Sequence, residues 1–282
     1  MAKRLAGKQH ELGGLVVTRI LPHIEKKMVG PFIFFDHMGP TEFEAGQGIN
    51  VRPHPHIGLS TLTYLFTGSI LHRDSLGNHL EIFPGDVNLM TAGKGIVHSE
   101  RETFEVRANP HSIDGLQCWV ALPAHMTELE PSFQHVKKAH LPTLTKEGLM
   151  MRLIVGEAYG MSSPVKTYSP MFYLDIAACE GSEVSLPCSN QEAALYVISG
   201  EITIGDKTYT NGDFILFESE DAFSFEQAGR VVLLGGDKFE KAPHITWNFV
   251  AYDKARIEQA IEDWRSGKFP LVPDDNKEFI PF

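Results

Sequence analysis

Two short runs carry side chains able to hold a metal ion: His54-Pro55-His56 and His98-Ser99-Glu100. Residues two apart on a strand project to one face, so each run presents two donors side by side. Laid together as neighbouring strands, they converge three imidazole nitrogens and one carboxylate oxygen, from His54, His56, His98 and Glu100, on one point inside a barrel. A mixed nitrogen and oxygen set suits iron, nickel, copper, manganese or cobalt better than calcium or a structural zinc. A six-coordinate metal would keep two positions open for substrate and dioxygen. Twelve of the thirteen histidines lie between His10 and His140, which places the chemistry in the first half of the chain.

The elements that must position these residues read as strands. Short β-branched and aromatic runs are punctuated by Gly, Pro, Asp and Asn, and little of the chain has a helical period. Leu62 to Ile70 reads as a strand entering a turn at Gly68, and Ile82 to Leu89 as a turn at Pro84-Gly85-Asp86 between two more. One helix is expected, late in the chain. Asp253 is its N-cap, Ala255, Ile257, Ala260, Ile261 and Trp264 form its apolar face, and Gly267 and Pro270 end it.

An internal repeat organises the rest. Tyr64 to Ile70 matches Tyr196 to Ile202 at an offset of 132, and Pro84-Gly85-Asp86-Val87 matches Asn211-Gly212-Asp213-Phe214 at an offset of 127. The five extra residues of the first copy fall in the connection holding His72-Arg73-Asp74-Ser75-Leu76-Gly77. The pattern is a small antiparallel barrel built twice, with a boundary near Gln134 to Lys146. It divides the chain into a metal-binding domain, 1–140, and a second domain, 141–282, that ends in the helix. The two offsets carry His54, His56, His98 and Glu100 onto Leu186, Cys188, Phe225 and Gln227. The second copy is therefore expected to lack a metal.

Other residues read as structural. His37 beside Asp36 fits a capped turn, His72 and His79 fit solvated loop positions, and Phe32 to Phe35 fits barrel core. Cys118, Cys179 and Cys188 are odd in number and far apart, which argues against a disulfide framework and fits reduced, mostly buried thiols. No phosphate loop, nucleophile triad or dinucleotide fingerprint is present. With a net charge of −11 and no locally basic patch, direct attraction to nucleic acid or an anionic membrane is not expected. The longest apolar stretches fall far short of a membrane span, and the first residues lack a signal core. A cytoplasmic location is expected.

At its metal-ligand runs the chain resembles the cupins, and within them the pirin family. Gly48 with His54-Pro55-His56 and Gly68 resembles the first cupin motif. Pro84-Gly85-Asp86 followed by Thr91-Ala92-Gly93-Lys94-Gly95-Ile96-Val97-His98-Ser99-Glu100 resembles the pirin form of the second. Phe35 to Pro40, His72 to Gly77 and Asp263 to Pro270 are similar to bacterial pirin-like proteins as well. The resemblance implies an all-β bicupin of two jelly-roll barrels with a short C-terminal helix. It implies one divalent transition metal in the first barrel, iron(II) first among iron, manganese, nickel, cobalt, copper and zinc. Many cupins carry a glutamate where this chain has Ser60; the resemblance gives the carboxylate role to Glu100 and leaves Ser60 as a small polar residue beside the cavity. The implied activity is flavonol (quercetin) dioxygenation: the substrate binds through its 3-hydroxyl, Glu100 takes that proton, and dioxygen opens the central ring with loss of carbon monoxide. Its partners would be a flavonol-like molecule and dioxygen. The alternative is an iron-binding redox sensor that acts through a protein partner.

Overall fold

The expected strands form, and glycine turns end them where the sequence places them. The structure, a computed structural model, describes residues 2–282. The first copy contributes strands Leu59–Thr67 and Ile70–Asp74, joined at Gly68, and the second contributes Glu192–Ser199 and Glu201–Ile204, joined at Gly200. The second match also holds: Gly85 N–H donates to Leu65 O and Gly212 N–H to Val197 O, each at 2.9 Å. Helix Lys254–Arg265 begins at Asp253, whose carboxylate accepts from Ala255 N–H.

Contacts between residues divide the chain into two units. One comprises 8–19, 33–138 and 241–282; the other comprises 2–7, 20–32 and 139–240. The division expected from the sequence, 1–140 and 141–282, therefore needs correcting at both ends. The helix belongs with the histidine-rich unit because Ile257 and Ala260 pack on Ile57, Phe249 and Ala251. The N-terminal strand Lys3–Leu5 belongs with the other unit because it pairs with Phe214–Leu216.

The histidine-rich unit sets two antiparallel sheets face to face. The larger runs in the order Ser132–Val136, Val87–Thr91, Leu59–Thr67, His111–Ala121, Phe32–Phe43, Leu15–Leu21 and Lys8–Leu12. The smaller runs Val51–His56, Ile96–Arg101, Ile70–Asp74 and His79–Ile82, so Val51–His56 is an edge strand. At one end Leu15, Val17, Met38, Leu65 and Ile113 of the first sheet meet Val51, Ile70 and Ile82 of the second in a closed apolar core. This wall carries the other, polar end of the interior.

The other unit repeats the scheme with an eight-stranded and a four-stranded sheet. Its interior is apolar, with Val184, Ile202, Phe223 and Phe225 against Leu195, Val197 and Leu233. Among the described residues no helix is long and apolar enough to cross a membrane. None of the three cysteines forms a disulfide among the described residues, and only Cys118 is buried; Cys179 is exposed and Cys188 half-buried, which corrects the expectation of mostly buried thiols.

Candidate metal centre

Strands Val51–His56 and Ile96–Arg101 run antiparallel with His98 opposite His54 and Ile96 opposite His56. Alternation then turns His54, His56 and His98 to one face, and all three are buried. One ring nitrogen from each lies within 4.8 Å of the others. His56 Nε2 and His98 Nε2 are 3.1 Å apart. His54 Nδ1 donates to Arg52 O at 2.9 Å, which leaves its Nε2 as a lone pair.

Burial decides the charge of the three rings. It lowers His54 to about 4, against a partial counter-effect of the Arg52 carbonyl and with His72 adding to the shift. Burial, then the neighbouring imidazoles, holds His56 and His98 well below the usual histidine range. Neutral imidazoles are the ligating form. His98 Nδ1 is buried and has no hydrogen-bond partner among the described residues. With the proton of each ring on Nδ1, both turn an Nε2 lone pair toward the same point, and a cation there relieves their mutual repulsion. With metal–nitrogen bonds of about 2.1 Å, ligands at right angles stand roughly 3.0 Å apart, close to the His56–His98 spacing. The residues therefore fit a divalent transition metal.

Glu100 sits one alternation beyond His98, opposite His72 on one neighbouring strand and Val51 on the other. It is half-buried, forms no hydrogen bond or ion pair with a described residue, and burial pushes its carboxyl up to about 7. Its oxygens are not among the atoms that converge with the three imidazoles.

His72 departs from the sequence expectation. It is a buried strand residue, not a solvated loop histidine, and its ring lies 5.4 Å from that of His98 and stacks on Phe133 at 4.4 Å. Its Nε2 donates to Asp74 at 2.9 Å. Burial alone would raise Asp74, but the bonds from His72 and Asn78 outweigh it and leave that carboxyl below its usual range. The signal was present: His72-Arg73-Asp74 has the alternation used for His98-Ser99-Glu100. His79 is exposed, as expected. Trp119, which the sequence reading passed over, meets His56 edge-on at 5.2 Å and stacks on Phe34 at 4.1 Å.

Asp36 and His37 form no turn. Both lie on the long strand Phe32–Phe43, Asp36 bound by Arg19 at 2.8 and 2.9 Å and His37 bonded to Asp114 at 2.7 Å. Ser60 bonds Thr91 Oγ1 at 2.9 Å and pairs with Val120. Because Thr61 is the partner of Trp119, alternation turns Ser60 to the opposite face, away from the histidines.

The counterparts in the second copy also need correction. Leu186 N–H bonds Asp221 O at 2.6 Å, the pairing that His54 and His98 make in the first. Thirteen residues separate Gly85 from His98 but only nine separate Gly212 from Asp221, so the offset of 127 does not extend to this strand. The equivalents of the four candidate ligands are Leu186, Cys188, Asp221 and Phe223, rather than a set that includes Phe225 and Gln227.

Comparison with known proteins agrees with this geometry. The pirin family model matches residues 14–120, and that of the pirin C-terminal cupin domain matches residues 173–270. A pirin-like protein of Caulobacter vibrioides is 45% identical over 280 residues, spanning 97% of this chain and 96% of that one. The chain belongs to the pirin family. Like other pirins it is a bicupin, and it is similar to a putative quercetin 2,3-dioxygenase of Pseudomonas aeruginosa, at 36% identity over 95% of this chain and 84% of that protein. It superposes with a TM-score of 0.92 on a crystal structure of a quercetin 2,3-dioxygenase from Acinetobacter baumannii, at 33% identity over 100% of this chain and 94% of that one. Family and three-histidine cluster together support a metal-dependent cupin enzyme.

Proposed function

We propose that the protein is a dioxygenase that opens the central ring of a flavonol such as quercetin and releases carbon monoxide. The observation that carries this reading is the convergence of three buried, neutral imidazoles on one point, with the Glu100 carboxyl, two residues on from His98, unpartnered among the described residues. His54, His56 and His98 would hold one divalent metal, iron(II) in our reading, with Glu100 as the fourth ligand. When bound, such a metal supplies Lewis acidity toward substrate oxygen and access to dioxygen.

The remaining steps belong to side chains. Glu100 accepts the proton of the flavonol 3-hydroxyl, a task suited to a carboxyl that burial brings near neutrality. Trp119 and Phe133 place aromatic rings against His56 and His72, which gives the surroundings of the site the apolar character that suits a planar polyphenol. Cysteines outside any disulfide and a net charge of −11 accord with a cytoplasmic enzyme whose partners are the flavonol-like molecule and dioxygen.

Protein purified without oxygen and loaded in turn with iron, manganese, nickel, cobalt and copper is mixed with quercetin under air. The reading expects loss of flavonol absorbance, dioxygen consumed in proportion, and trapped carbon monoxide. Binding without turnover in every metal form would reject it in favour of a sensor acting through a protein partner.

A further inference from the structure

The edge strand Val51–His56 supplies two of the three imidazoles and is poorly held by its own sheet. Pro53 and Pro55 have no N–H to give, and a bulge sets Arg52 and Pro53 against Ser99 alone. Within one residue of each ligand, however, a second set of bonds comes from the distant segment 249–280. Val250 N–H donates to the carbonyl of Ile57, next to His56, at 3.2 Å. Ile280 N–H donates to the carbonyl of Pro53, next to His54, at 2.9 Å. Ser99, next to His98 and fully buried, donates its hydroxyl to Asp275 Oδ2 at 2.7 Å. Asp275 is fixed in turn by Arg101 at 2.7 and 2.8 Å, and Arg101 also holds Glu278.

Ser99 alternates with His98, so its bond to Asp275 grips that strand from the side away from the imidazoles, while the Pro53 and Ile57 carbonyls tie the edge strand through its backbone. We infer that segment 249–280 is a positioning strap for the metal centre, with Ser99 and Asp275 as its positioning residues. This rests on the proposed metal site. A strap that served stability alone would have no reason to meet both strands beside each ligand. One that sets ligand geometry must do so, since a binding constellation tolerates errors of only about 0.5 Å.

The test is cobalt(II) titration of the full chain in competition with a chromogenic chelator, together with the visible spectrum of bound cobalt and the melting temperature of the metal-free protein. Loss of a group that orients metal ligands typically costs about 10–100-fold in affinity. Ser99→Ala and Asp275→Asn should each weaken cobalt binding by that factor and shift its spectrum. Lys268→Ala, which removes a surface ion pair with Asp263 in the same segment, should change neither. Where Asp275→Asn does not fold, Ser99→Ala, the loss of one hydroxyl, decides. A lower melting temperature with affinity and spectrum unchanged would overturn the strap and leave the metal site standing. A parent protein that binds no cobalt would overturn the metal site and the strap with it.

Discussion

Each histidine of the centre is one of three imidazole donors, and the neighbouring imidazole, His72, has its Nε2 bonded to Asp74. His56→Ala or His98→Ala should therefore weaken metal binding by well over tenfold, while the apolar wall around Leu65 and Ile113 keeps the unit folded. Metal analysis after dialysis against chelator, with circular dichroism as the fold control, checks this; full occupancy in either variant contradicts the site. Glu100 has two tasks to separate. Glu100→Gln keeps the shape but cannot accept a proton, and general-base catalysis contributes about 10² to 10⁴ in rate. Turnover per bound metal should fall at least about a hundredfold, and a rate within a few fold of the parent would reduce Glu100 to a ligand. The three histidines were legible because alternation by two is a geometric rule that holds without knowledge of tertiary structure. His72 carries the same alternation with Asp74, but its place near a Gly turn reads as a loop, and the pairing of Ile70–Asp74 with Ile96–Arg101 is what sets it opposite Glu100.

At the scale of elements, the turn after His56 depends on one close approach. Gly58 has φ +69°, and a Cβ there would lie 2.0 Å from Val250 O, a backbone atom. Gly77 has φ +89° with open space around it. Gly77→Ala should cost only the left-handed backbone, about 1–2 kcal/mol. Gly58→Ala must also displace the strand Phe249–Ala251, so its melting temperature should fall clearly further, and equal losses would show that the approach is loose. Strands and their turns were readable because Gly-Asp turns and β-branched runs are local signals. The pairing of the second copy was not. The longer loop before His98 shifts the register by four residues, and spacing counted from the turn cannot reveal which carbonyl a strand will meet.

Over the whole molecule, buried histidines tie stability to pH. His54 falls from its ordinary value of 6.5 to about 4, with His56 and His98 shifted the same way. Between those values the unfolded chain binds protons that the folded chain refuses, so metal-free protein loses stability as pH falls through this window. The loss is about 1.4 kcal/mol per pH unit for each such histidine. Urea midpoints of the metal-free protein at pH 7, 6 and 5 should decline steeply, and a flat series would contradict the burial. One metal per chain is expected, since the second copy offers Leu186, Cys188, Asp221 and Phe223; two equivalents held within the folded chain would count against that. Domain order was the least legible feature, because no local signal says that residues 241–282 pack back on the unit that residue 138 leaves. That arrangement also governs synthesis. Ser99 leaves the ribosome 176 residues before Asp275. At about 5–20 residues per second, the nascent ligand strands wait on the order of 10–40 s for the bonds that brace them. Through that interval they are an edge strand and its neighbour without their outer support. On the proposed strap, ligand geometry is complete only once residue 280 has been made, so the choice of metal falls to the pool that meets the finished chain.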